Sequence, residues 1–173
     1  MYKQARQRLR RLIDLKHSHL MRNSLIGVEK ETLRVNKQGG IAQTPHPARL
    51  GSALTHPYIT TDYSEALTEL ITPPFYTIRD VLDFLRDTQQ YVYQCLDGEY
   101  LWATSMPCVV AGEDSIRIAE YGHSNAGMMK HVYRRGLGYR YGRVMQSIAG
   151  VHFNYSFPIE FWEIYAELEG NRM

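Results

Sequence analysis

The chain has 173 residues, enough for one domain with a real hydrophobic core and long for two. Apolar residues make up 44% and charged residues 22%, which excludes disordered and collagen-like classes, and a formal charge of +2 does not by itself imply a polyanionic partner. No apolar run reaches the length of a membrane span, the basic start lacks the apolar stretch of a secretory signal, and the two cysteines, Cys95 and Cys108, fit a reducing compartment. A cytoplasmic protein is the expectation.

In the first stretch, Leu9, Leu12, Ile13 and Leu20 recur at helical spacing while the arginines fall largely on the other side. A basic helix for a membrane surface or a nucleic acid is one reading. An amphipathic helix docked by its leucine stripe is the preferred one. "GVEKETLRV" (27–35) lies in a strand predicted over 26–35 and places Glu29 and Glu31 on one face, roughly 7 Å apart. At an effective dielectric of about 20 they repel by roughly 2 kcal/mol. A solvated face would screen that repulsion. A buried face needs a cation.

"TPHPARLGSALTHP" (44–57) is a loop punctuated by prolines and a glycine. In the following run, "EALTELIT" alternates, with Glu65, Leu67, Glu69 and Ile71 on one side of a strand. From Thr77 the period becomes helical, with Thr77 as N-cap, Asp80 three residues on, and Gly98 closing the helix. Residues 99–127 read as irregular, Pro107 arguing against a central strand. The basic, aromatic run that follows reads as a helix broken near Gly136 and Gly138. "GVHFNYSF" (150–157) alternates again, with His152, Asn154 and Ser156 on one face. The closing "EIYAELEGNRM" stops in mid-helical pattern, which suggests a fragment. No repeat or linker divides the chain.

Three strand-like segments thus carry polar chelators on one face: Glu29 with Glu31, Glu69 with Glu65, and His152 with Asn154. Clustered carboxylates suit Mg²⁺ or Mn²⁺ bound alongside phosphate oxygens, and the histidine leans toward Mn²⁺. Spacing does not show that the strands are neighbours, so a metal site and three solvated faces both stay open. "KHVYRRGLGYRYGR" (130–143) interleaves arginines with tyrosines, which suits single-stranded RNA, a substrate pocket or a packing helix. The absence of a nucleic-acid module and of strong net charge argues against RNA. Cys108 reads as a small buried hydrophobe rather than a nucleophile.

"GVEKETLRV", "TPHPARLGSALTHPYITTDYSEALTELITPP", "SMPC" and "YGHSNAGMMKHVYRRGLGYRYGRVMQSIAGVHFNYSF" closely resemble the proteobacterial glutamate–cysteine ligase family, over about residues 20–162. The resemblance implies an α+β fold, an antiparallel sheet curled into a funnel with flanking helices, similar to glutamine synthetase. It implies ATP-dependent joining of L-glutamate and L-cysteine, the first step of glutathione biosynthesis, with Mg²⁺ or Mn²⁺. By position, Glu29, Glu31, Glu69 and His152 match the family's metal-binding motifs, and Glu99 is a further candidate. Tyr63, Tyr133, Leu137 and Gln146 match positions lining the cysteine pocket, and Ile148 falls near the bound glutamate. Tyr63 is a Tyr-for-Phe variation whose added hydroxyl needs a partner if buried.

Family members are much longer. The expectation is therefore that residues 1–173 are the N-terminal part of a single catalytic domain with no internal boundary. The missing C-terminal half is then a required partner, and the chain alone is inactive. The rival expectation from another class is an RNA-binding or regulatory fragment acting through residues 130–143.

Overall fold

The computed structural model describes residues 2–170. The centre of the molecule is the eleven-residue strand β1, Leu25–Val35. Its β-branched and apolar residues suit a strand with neighbours on both edges. Along one edge it pairs antiparallel with β3, Leu67–Ile71, which in turn pairs with β2, Ile59–Thr61. Along the other edge its first half pairs with β5, Val151–Ser156, and its last two residues with the two-residue β4, Tyr100–Leu101. All four pairings are antiparallel, giving an open five-stranded sheet with helices α1 (Tyr2–Asp14), α2 (Ile78–Cys95), α3 (Asn125–Tyr141) and α4 (Ile159–Leu168). The α+β expectation holds.

Two cores flank the sheet, and β1 supplies apolar side chains to one of them. Leu33 and Val35 join Leu67, Ile41, Tyr63 and Ile116 in a cluster against which Leu137 of α3 packs. On the other face, Leu70 and Ile59 join Leu50, Leu101, Val92 and Cys95, the last two from α2. Glu29 and Glu31 share the face of Leu33, so the carboxylates continue the line of one core outward to the rim of the sheet.

Helix α2 begins where its N-cap predicts. Thr77 Oγ1 accepts from the Asp80 amide at 3.1 Å and donates to the Asp80 carboxylate at 2.6 Å. It ends at Cys95 rather than at Gly98, which instead makes the positive-φ turn into β4. Helix α3 runs unbroken through Gly136 and Gly138, against the sequence expectation. At Gly138 a Cβ would stand 2.5 Å from the Tyr63 hydroxyl, so this glycine serves close packing rather than chain breaking. Only Leu12 of the α1 stripe is buried, whereas Leu9 and Ile13 are exposed. The expected leucine docking is therefore confined to one residue. Leu20 lies in a separate 3₁₀ segment, His17–Asn23, set off by Lys16 in a left-handed conformation. Helix α4 ends at Leu168, and the final residues of "EIYAELEGNRM" (171–173) lie outside the described residues.

Candidate functional site

The three alternating segments come together on one sheet. Glu31 is the direct cross-strand partner of Glu69, and Glu29 is the direct partner of His152. Directly opposed residues share a face, so Glu29, Glu31, Glu69 and His152 stand on the same side. Asn154 joins them: its Nδ2 donates to Glu29 Oε1 at 2.9 Å. His152 Nδ1 lies 3.3 Å from Glu29 Oε2. The Gly150 amide donates to Glu31 Oε2 at 2.6 Å. Gly150 leaves a gap that a side chain would fill, since a Cβ there would stand 3.0 Å from His152 Nε2 and 3.4 Å from Glu31 Oε2. Beside Glu29 a cavity of about 270 Å³ opens between β1, β3 and β5, lined by Gly27, Ile71 and Asn154 among others.

The electrostatics of this face are unbalanced. Burial pushes the Glu69 carboxyl up to about 7, with Asp62, Glu29 and Glu31 adding to the rise and His152 opposing it. Burial also raises Glu31, opposed by the Gly150 amide and assisted by Asp62. His152 is raised, first by its hydrogen bond to Glu29. Lys30 points to the opposite face, and among the described residues His152 is the single basic group within salt-bridge distance of any of the three glutamates. Asp62, in the turn between β2 and β3, completes the negative field. Asp62 lies outside the strand alternation that marks the other carboxylates, although "TTDY" sits immediately before the alternating run.

Two other acidic candidates are spent elsewhere. Glu99 accepts from the buried Arg34 at 2.6 Å and from Thr44 Oγ1 at 2.6 Å. Arg34 projects from the face of β1 opposite Glu31, so Glu99 is separated from the carboxylate face by the sheet and leaves the metal set. Glu65 precedes the strand, which starts at Leu67. Its carboxylate accepts from the His46 and Glu120 amides, tying two loops together.

The residues matched to substrate positions differ widely in burial. Tyr63 is 2% exposed, in the core with Leu137 packed against that cluster, and its hydroxyl has no hydrogen-bond partner. Burial raises its pKa. Tyr133, one helical turn before Leu137 on α3, is 64% exposed. Gln146 lies half-buried in the 3₁₀ turn Met145–Ser147, and Ile148 follows it at the surface. Within the Arg/Tyr segment, Lys130 and Arg134 lie over the Tyr121 ring at 5.0 and 4.8 Å, and Arg134 Nε donates to the Asp62 carbonyl. Arg143 donates to the Ile116 carbonyl. These three cations are engaged within the protein, whereas Arg135, Arg140, Tyr133, Tyr139 and Tyr141 of the same segment are exposed.

Among the described residues, no three His, Cys, Asp or Glu side chains converge on one point as a bound metal would require. The donors instead form a face, paired across strands. The donor chemistry fits a hard divalent cation nonetheless: uncompensated carboxylates, one imidazole, and a gap at Gly150 bounded by Glu31 and His152. No described helix is long and apolar enough to cross a membrane.

An open antiparallel sheet whose central strand carries a row of carboxylates is the arrangement of an α+β protein with one acidic face. The model of the glutamate-cysteine ligase family matches residues 9–173, and the chain belongs to that family. It is 50% identical over 169 residues to the glutamate–cysteine ligase of Alcanivorax borkumensis, covering 98% of this chain and 32% of that protein. It is 58% identical over 154 residues to that of Hahella chejuensis, covering 88% of this chain and 29% of that one. The crystal structure of the Francisella tularensis glutamate–cysteine ligase in complex with AMP superposes with a TM-score of 0.83 at 40% identity, over 87% of this chain and 30% of that chain. The bifunctional glutathione synthetase of Pasteurella multocida does so with a TM-score of 0.78 at 32% identity, over 90% and 20%. The chain therefore spans about a third of the length of the curated relatives described here.

Proposed function

We propose that residues 1–173 are the N-terminal part of a single glutamate–cysteine ligase catalytic domain acting in the cytoplasm. The complete domain would join the γ-carboxylate of L-glutamate to the amine of L-cysteine at the expense of ATP, the first step of glutathione biosynthesis. In that reaction a γ-carboxylate oxygen attacks the terminal phosphorus of ATP and ADP leaves. The cysteine amine then attacks the acyl carbon of γ-glutamyl phosphate, gives up a proton, and phosphate departs.

The observation that carries this reading is the register that sets Glu31 against Glu69 and Glu29 against His152, within a chain half identical to proteins named for this activity. Glu29, Glu31, Glu69 and His152 would hold Mg²⁺ or Mn²⁺, with Asp62 adding charge. Such ions supply charge neutralisation on the transferring phosphoryl group. The protein's own share is positional. Asn154 and the Gly150 amide fix the orientation of Glu29 and Glu31, and the half-buried Glu69 is the group whose charge depends most on a nearby cation. Tyr63, Tyr133, Leu137 and Gln146 would form the cysteine pocket and Ile148 would lie by glutamate. Because Tyr63 is buried and Tyr133 exposed, that pocket requires the rest of the protein to form around α3.

The test is ADP release by this chain joined to the remaining polypeptide of a longer relative. Release is expected only when glutamate and cysteine are both present, and none from the 173-residue chain alone. Release that ignores cysteine would sink the proposal.

A further inference from the structure

Helix α1 takes no part in the carboxylate site, yet it is the most densely charged helix among the described residues. It carries Lys3, Arg6, Arg8, Arg10 and Arg11 against one acid, Asp14. At about 100° per residue, Leu9, Tyr2 and Ile13 fall within about 40° of one another on its circumference. Arg6, Arg10 and Lys3 border that stripe on the Ile13 side. Leu12 and Arg8, one turn apart, lie beyond its other border.

Two contacts fix which way the helix faces. Leu12 is buried in the protein. Arg8 donates to Glu169, at the end of α4, at 2.9 Å, and its guanidinium lies 5.8 Å from the centre of the Tyr165 ring. With that side turned inward, the stripe and the cations beyond it stay outside. Tyr2, Leu9 and Ile13 are 82%, 45% and 53% exposed, and Lys3, Arg6 and Arg10 are exposed with them. Among the described residues, Arg8 is the single cation of the five with an ion-pair partner.

We propose that α1 docks this chain on the surface of a membrane rich in anionic phospholipid. Leu9 and Ile13 sit at the acyl boundary, and Lys3, Arg6 and Arg10 lie among the headgroups. The Tyr2 ring suits the same depth, since its body is apolar and its hydroxyl stays in water. The occupant follows from charge. A second copy would set five cations against five. A nucleic acid would satisfy the cations and offer nothing to Leu9 and Ile13. An anionic bilayer meets both, and the cytoplasmic leaflet is the anionic one, in keeping with the placement proposed above.

The test is flotation with vesicles of equal parts phosphatidylglycerol and phosphatidylcholine, beside vesicles of phosphatidylcholine alone. It is run on the 173-residue chain and on that chain joined to the remaining polypeptide of a longer relative. Both are expected to bind the anionic vesicles at least about 10-fold more tightly than the neutral ones. Raising salt from about 0.05 to about 0.5 M should cost about 10-fold or more. Arg6→Glu with Arg10→Glu should cut partition by about 100-fold or more, and Leu9→Ser with Ile13→Ser by about 10-fold or more. All four side chains are exposed, so neither pair should shift the urea unfolding midpoint. Equal partition into both vesicle types overturns the inference, and so does partition that the Leu9 and Ile13 pair leaves untouched. Tighter binding to single-stranded RNA than to the anionic vesicles overturns it in favour of a nucleic acid. Flotation of the 173-residue chain that is lost in the joined protein overturns it as well, because the stripe is then covered by the rest of the ligase.

Discussion

Strand β1 presents acidic chemistry on both faces, and the two faces treat it oppositely. On one, Glu99 meets Arg34, a guanidinium whose side chain is 1% exposed and which also donates to Thr44 and to the Glu65 carbonyl. On the other, Glu29, Glu31, Glu69 and Asp62 crowd together against one exposed imidazole. A matched buried ion pair holds a structure in register. An unmatched set of carboxylates, half-buried on a β-sheet, costs stability in the free protein and is the form in which affinity for a cation is stored.

The largest expected effect breaks the matched face. Arg34→Met strands the Glu99 carboxylate in a buried site and should lower stability by about 3–5 kcal/mol in urea unfolding. Adding Glu99→Leu to that variant should restore most of the loss, because the pair is then replaced rather than broken. Retained stability in the single variant would mean that the pair does not matter. Next comes the unmatched face. Glu29→Gln in the ligase assembled with the remaining polypeptide should cut turnover by about 100-fold. It should also raise the Mg²⁺ concentration needed, with unfolding altered by less than about 0.5 kcal/mol. Unaltered Mg²⁺ dependence would remove Glu29 from the metal set.

Gly138→Ala tests the polar group on the site side that is buried without a partner. Its Cβ would press on the Tyr63 hydroxyl and cost about 1–3 kcal/mol, and Tyr63→Phe in the same chain should return much of it.

The smallest effect is a pH profile. Because the Glu69 pKa is raised on folding, from 4.5 to about 7, the unfolded chain loses that proton first as pH rises. Stability contributed at low pH should therefore fall between about 4.5 and about 7. Glu31 and His152, also raised, add slopes of the same sign. Subtracting the Glu69→Gln profile isolates Glu69, whose share is on the order of 1 kcal/mol after solvent screening. Superimposable profiles would show that Glu69 titrates normally.

What the sequence revealed follows from periodicity. Strands β1 and β5 and the Thr77 cap were legible because a two-residue alternation and a capping pair are local signals spanning several residues. The two residues of β4 offer no period to read. Glu65 reads together with Glu69 because alternation does not show where a strand begins, and the chain enters β3 only at Leu67. Gly138 read as a breaker because helix propensity is local, whereas its purpose is to admit a hydroxyl from Tyr63, distant in the chain. The matched family positions Glu29, Glu31, Glu69 and His152 proved to be neighbours only once the register was known.

The placement of β1 also fixes an order of events on the ribosome. Its contacts with β3 lie within 50 residues along the chain, but Glu29 meets His152 across 123 residues. At about 5–20 residues per second, β1 waits roughly 4–16 s after β3 with one edge bare before its second neighbour emerges. The same wait applies to the acidic row, whose imidazole and Asn154 arrive last. Nascent chains stalled between β3 and β5 would therefore show a native β1–β3 pairing, an unfinished acidic face, and the strongest demand for a chaperone.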